Sequence, residues 1–132
     1  MTEREIDEIN DVLEQKDIVL VLTPSDQLDE VNSSILKHIN EKEGARTVYI
    51  TVAKPYSTIT NFLGEQDVDT DSMFFIDCIT KTTAESVGRA ENCVFLKPQA
   101  LTDISIALSQ AIESMDEDRE RFLFLDTLST LM

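Results

Sequence analysis

Five short apolar runs alternate with segments whose apolar residues recur every three or four positions. Residues 18–22, Ile-Val-Leu-Val-Leu, contain no polar side chain, as expected of a strand covered on both faces. Residues 47–52, 73–76, 93–96 and 121–125 have the same character and predict four more strands, β-branched or aromatic in composition. Between them the period changes from two to about 3.6. Ile6, Ile9, Val12 and Leu13 predict an amphipathic helix over 3–15, behind a Thr2/Glu5 capping box, which would cover one face of the sheet. A second helix should start at a Ser25 or Asp26 cap and run to about Lys42, with Leu28, Val31, Ile35, Leu36 and Ile39 inward and Gly44 as its stop. A short helix after Lys54-Pro55 turns Ile59, Phe62 and Leu63 inward and closes at Gly64. A last one over 101–115 carries the stripe Ile104, Leu108, Ile112 and Met115. Residues 65–72 read as an acidic loop, and 80–92, polar and containing Gly88, as a loop with a turn of helix.

Unalternating strands separated by helices argue for a parallel sheet covered on both faces. The expected fold is therefore α/β: a three-layer sandwich around a five-stranded, mainly parallel sheet. Residues 1–132 form one domain, with the helix of residues 1–16 packed on it.

Composition narrows the partners more than it narrows the fold. With 26 acidic against 11 basic residues the formal net charge is −15. Such a surface repels nucleic-acid backbones and anionic membrane surfaces, so neither is an expected partner. It solubilises the chain, or it offers a docking face to a basic protein. The first residues have no apolar signal core, and no apolar run approaches the roughly 20 residues that span a bilayer, so the expected location is cytoplasmic. Cys78 and Cys93 make no CxxC pair and read as buried free thiols. A metal site joining them to His38 would need a fourth ligand. His38, the only histidine, is expected on the solvated side of its helix, which leaves no evident base for a serine or cysteine nucleophile. Ser33, Ser34, Ser129 and Thr130 read as helix-surface and turn residues.

Chemistry concentrates at strand ends. Phe122-Leu123-Phe124-Leu125-Asp126 matches a Walker B strand, whose terminal acid holds Mg²⁺; it also matches any strand that happens to end in an acid. The segment from Arg121 to Met132 resembles the Walker B region of the archaeal KaiC-like branch of the RecA-superfamily ATPases. Val48-Tyr49-Ile50-Thr51-Val52, Met73-Phe74-Phe75-Ile76-Asp77 and Leu101-Thr102-Asp103-Ile104-Ser105-Ile106-Ala107 resemble the intervening strands and the helix before Walker B in that family. The resemblance extends over about residues 17–132 and implies a RecA/P-loop-like core with nucleotide at the carboxyl ends of the strands.

The departures matter as much. Where the family has G-x-x-x-x-G-K-[ST], this chain has Thr23-Pro24-Ser25-Asp26-Gln27-Leu28-Asp29-Glu30, without glycine or lysine. Asp26, Asp29 and Glu30 themselves occupy the favourable end of the helix dipole. Each carboxylate about 6 Å from a phosphate costs about 1 kcal/mol per unit of phosphate charge. Val52-Ala53-Lys54 stands where the family's catalytic glutamates would be. The chain ends six residues past Asp126 at an apolar Leu128, Leu131 and Met132, so relative to that family the domain looks truncated and self-association is favoured over a lone monomer. Hydrolysis is not expected. The resulting expectation is a non-catalytic regulatory or protein-interaction module without a cofactor. Two alternatives remain open: ATP and Mg²⁺ held through Asp126, and a receiver-like phosphoacceptor. In either, Asp26, Asp77 and Asp126 are the candidate metal ligands if the three strand ends are neighbours.

Overall fold

The computed structural model describes residues 3–83, 91–115 and 120–126. In chain order these form α1 (Glu3–Gln15), a 3₁₀ turn (Ser25–Gln27), α2 (Leu28–Asn40), β1 (Arg46–Thr51), α3 (Tyr56–Glu65), β2 (Met73–Asp77), α4 (Thr80–Thr83), β3 (Cys93–Phe95), α5 (Leu101–Glu113) and β4 (Arg121–Leu125). Thr2, Gly88, Asp116–Asp118 and the apolar end at Leu128, Leu131 and Met132 lie outside the described residues, as do Ser129 and Thr130.

Four strands make one sheet in the order β3-β2-β1-β4, and every pairing is parallel. Tyr49 of β1 lies opposite Phe75 of β2 and Phe124 of β4. Their rings meet at 5.4 and 5.0 Å, and Tyr56 of α3 closes edge-on against Phe75 at 5.1 Å. This aromatic row crosses three strands and forms the floor under α2 and α3, which add Leu36, Ile59 and Leu63. Each such side chain withdrawn from water contributes about 1.5–3 kcal/mol. On the other face Val48, Ile50 and Ile76 pack against Ile104 and Ala111 of α5, with Leu108, Ile112 and Met115 beside them. The sheet therefore carries helices on both faces.

Residues 18–22 overturn the expectation of a fifth strand. They are unpaired and belong to no helix or strand, with Ile18, Leu20 and Leu22 at 92%, 69% and 87% exposure. Val21 alone of this run packs onto a core, the cluster of Val31, Ile35, Ile39 and Ala45 that Phe122 and Phe124 also cover. A strand needs a ladder as well as apolar side chains, and residues 18–22 make no backbone hydrogen bond to β4 or to any other described residue. The sheet has four strands for that reason.

Smaller corrections follow the same local logic. Neither Ser25 nor Asp26 caps the second helix: Pro24 precedes the 3₁₀ turn and Gln27 precedes α2, neither with a side-chain cap bond. Helix α2 stops at Asn40, before Gly44, which takes a φ of 74° in the turn beyond. Gly64 lies inside α3, and the left-handed residue past that helix is Asp67, at φ 59°. Ser33, expected on a helix surface, is buried and its hydroxyl donates to the Glu30 carbonyl at 3.0 Å. Helix α1 packs on α2 through Ile9 and Leu13 and has no fully buried residue. That docking also corrects the placing of His38. Its Nε2 lies 3.1 Å from Oε1 of Glu14, which also pairs with Lys42. Lys42 and then His38 hold the Glu14 carboxyl below its usual range. No helix among the described residues is long and apolar enough to cross a membrane.

Candidate functional site

The chain leaves β1 toward β2 on one side, and later returns past both to place β4 on the other. Ligands of open parallel sheets bind at the carboxyl ends of strands where the order reverses in this way. Here that crevice lies between β1 and β4, and Thr51 and Asp126 meet in it.

Thr51 is completely buried, and its hydroxyl oxygen lies 2.6 Å from the Lys54 carbonyl and 2.9 Å from Oδ2 of Asp126. Oδ1 of Asp126 accepts the Val52 N–H at 3.2 Å. Burial first, then the charges of Asp126 and Asp29, push the Tyr49 phenol well above its ordinary value, so it stays neutral. The acid expected to reach for a cation is thus folded onto β1.

Asp77 is more tightly held. Fully buried at the end of β2, it accepts the Ile79 and Thr80 N–H groups on Oδ1, both at 2.8 Å. Its Oδ2 accepts the Tyr56 N–H at 2.8 Å and the Thr80 hydroxyl. Four donors from the starts of α3 and α4 converge on one carboxylate. An acyl-phosphate acceptor must meet an incoming phosphoryl group in line, and Asp77 presents no accessible surface for that encounter. Asp26, the third candidate ligand, is exposed in the 3₁₀ turn. Among the described residues no group of three or more His, Cys, Asp or Glu side chains is arranged to hold a metal ion. Asp77 and Asp126 flank β1 at the same end of the sheet, each committed to backbone and hydroxyl donors of its own chain.

The start of α2, which the sequence resemblance aligns with a phosphate loop, carries a salt bridge. Both oxygens of Asp29 approach Nζ of Lys54, at 2.7 and 2.8 Å. Behind the pair is a cavity of about 150 Å³ between α2 and α3, with Leu36, Tyr49, Ile59 and Phe62 in its wall and Asp126 at its edge. Sites for drug-sized molecules and cofactors run from about 300 to 1,000 Å³, so a nucleotide does not fit this one.

Cys78 and Cys93 are buried free thiols, as the sequence suggests. Burial, with the nearby Asp77 charge, pushes Cys78 to about 11 and Cys93 to about 12. Thiols so protonated are poor nucleophiles. The residues that shape the crevice and that the sequence reading passed over are Thr51 and the Asp29–Lys54 pair. The one signal for Thr51 was a hydroxyl at the end of an otherwise apolar strand; nothing local joins Asp29 to a lysine 25 positions later.

In comparisons with known proteins, no family model, no curated protein and no solved structure matches this chain.

Proposed function

We propose that this chain is a non-catalytic protein-interaction or regulatory module, built on a core of KaiC/RecA type that has lost its nucleotide site. The observation carrying this reading is the Asp29–Lys54 pair, which puts a carboxylate at the start of α2 where a polyanion would otherwise sit. The small cavity behind it and the internal commitments of Asp77 and Asp126 support the same conclusion. The RecA-type ancestry draws support from the parallel sheet with Asp126 at the carboxyl end of β4, beside β1. Residues 18–22 supply the other half of the reading, because a solvated row of Ile18, Leu20 and Leu22 is a surface that gains by being covered.

A thermal-shift titration with MgATP, MgADP and Mg²⁺ alone tests the proposal. A ligand at about 100 times its dissociation constant adds about 2.7 kcal/mol of stability. The expected result is no shift with any of the three. An upward shift with MgATP that disappears in Asp126→Asn would overturn the module reading and make the protein a nucleotide-binding domain.

A further inference from the structure

We propose that the gap between β4 and the unpaired segment 18–22 is a slot for an incoming β-strand from another protein, one whose apolar core is flanked by basic residues. The proposal rests on the interaction-module reading and specifies its surface and its partner.

Among the described residues β4 is an edge strand. The Arg46 N–H donates to the Glu120 carbonyl at 2.9 Å, and the Asp126 N–H to the Ile50 carbonyl at 3.4 Å, so even-numbered residues of this strand face β1. In a parallel ladder alternate residues turn both backbone groups to opposite neighbours. The N–H and C=O groups of Arg121, Leu123 and Leu125 therefore point outward. Opposite them, residues 18–22 make no backbone hydrogen bond among the described residues. A cavity of about 820 Å³ lies between, with residues 18–21 on one bank and 121–126 on the other. An inserted strand would find a ladder on the β4 bank and the unpaired backbone of residues 18–21 on the other.

The side chains define the occupant. On one face of the slot Val21, Phe122 and Phe124 already form a floor over α2. On the other, Ile18, Leu20, Leu22 and Leu123 stand exposed. A strand with apolar residues on both faces matches both. The rim is acidic: Glu14, Asp17, Glu120 and Asp126 border the cavity against Lys16 and Arg121. Together with the net charge of −15, this rim favours basic flanks and disfavours a second copy of the chain.

The test uses the whole chain and a synthetic peptide, Lys-Lys-Val-Thr-Val-Ile-Val-Lys-Lys, followed by amide NMR and hydrogen exchange. Expected are shifts and slowed exchange at the amides of Arg121, Leu123, Leu125 and residues 19–22, weakening with added salt. Methylating alternate peptide amides should reduce affinity by about tenfold or more, because the ladder loses donors while the side chains remain. Leu123→Pro, which deletes one outward N–H and leaves the β1 ladder intact, should do the same. Unperturbed β4 amides would overturn the slot. So would slow exchange at residues 19–21 in the free protein, which would mean that 18–22 closes onto β4 itself. Concentration-dependent self-association protecting the same amides would also overturn it, in favour of a second copy. Peptide binding together with stabilisation by MgATP would remove the module reading and leave the slot standing; failure of both ligands would remove the slot alone.

Discussion

Replacing Asp77 with asparagine removes one charge and one acceptor at a point where four donors meet. The amide has a single oxygen. Kept at the Oδ1 position, it still accepts the Ile79 and Thr80 N–H groups, but its NH₂ then faces the Tyr56 N–H. The Thr80 hydroxyl can turn and accept; the Tyr56 N–H cannot. Flipping the amide strands two N–H groups instead of one. The better orientation therefore leaves one orphaned donor, costing about 1–3 kcal/mol, and weakens two charge-assisted bonds by about 1 kcal/mol each. The sum is about 4 kcal/mol, against a whole-domain stability of about 5–15 kcal/mol. At roughly 4 °C per kcal/mol for a chain of this length, Tm should fall by about 15 °C. Urea unfolding followed by circular dichroism measures it directly, as a lower midpoint at unchanged slope. Asp126→Asn, where the carboxylate is only partly buried and its backbone bond is 3.2 Å, should cost about 1–2 kcal/mol, and Asp26→Asn, exposed, within about 0.5 kcal/mol. A loss below about 1 kcal/mol for Asp77→Asn, or a reversal of that ranking, would show that the carboxylate is not what holds the starts of α3 and α4.

Phe75→Ala, at the centre of the aromatic row and fully buried, should cost about 3–5 kcal/mol by the same urea measurement. Leu20→Lys, on the solvated side of the 18–22 segment, should change stability by less than about 0.5 kcal/mol while raising solubility, read as Tm and as the ammonium sulfate concentration at precipitation. Above pH 9 the two thiols ionise in the unfolded chain but resist it in the folded one, up to about 11 for Cys78 and about 12 for Cys93. Their contribution is therefore fully present below pH 9 and lost as pH climbs through that window, so stability should fall on the alkaline side and fall less steeply in Cys78→Ala/Cys93→Ala.

The parallel sheet was legible because its signal is carried by composition alone. The runs that became β1, β2, β3 and β4 are apolar and β-branched or aromatic, and each is followed or preceded by a helix of clear period. The 18–22 run has the same signature and is not in the sheet. Apolar composition reports which side chains avoid water and not whether the backbone pairs: β4 ends the sheet beside this run, and the two make no ladder. Helix starts were misjudged for a related reason: Ser25 and Asp26 have capping side chains, yet the backbone enters α2 through Pro24 and a 3₁₀ turn that leaves those side chains unused. Local chemistry offered a cap, and the turn geometry did not take it.

The candidate site shows the same limit more sharply, because Asp77 and Asp126 are indistinguishable as sequence. Each is an acid after four apolar residues. The chain separates them by what comes next and by what comes alongside. After Asp77, the turn through Cys78 and Ile79 brings two N–H groups back onto the carboxylate and starts α4 there. Beside Asp126, Thr51 at the end of the neighbouring strand and Val52 just past it each approach one oxygen. A carboxylate at a strand end can hold a cation only if its lone pairs are not already spent on local donors. At Asp77 four donors take them, and at Asp126 each oxygen already has a neighbour on β1 or just past it, while Lys54 at the crevice mouth is turned to Asp29. Charge that could have gripped a ligand is neutralised within the fold, and the unsatisfied backbone lies at the β4 edge instead. Recognition at that edge requires strand geometry and not phosphate chemistry, which is why the search for a partner belongs there.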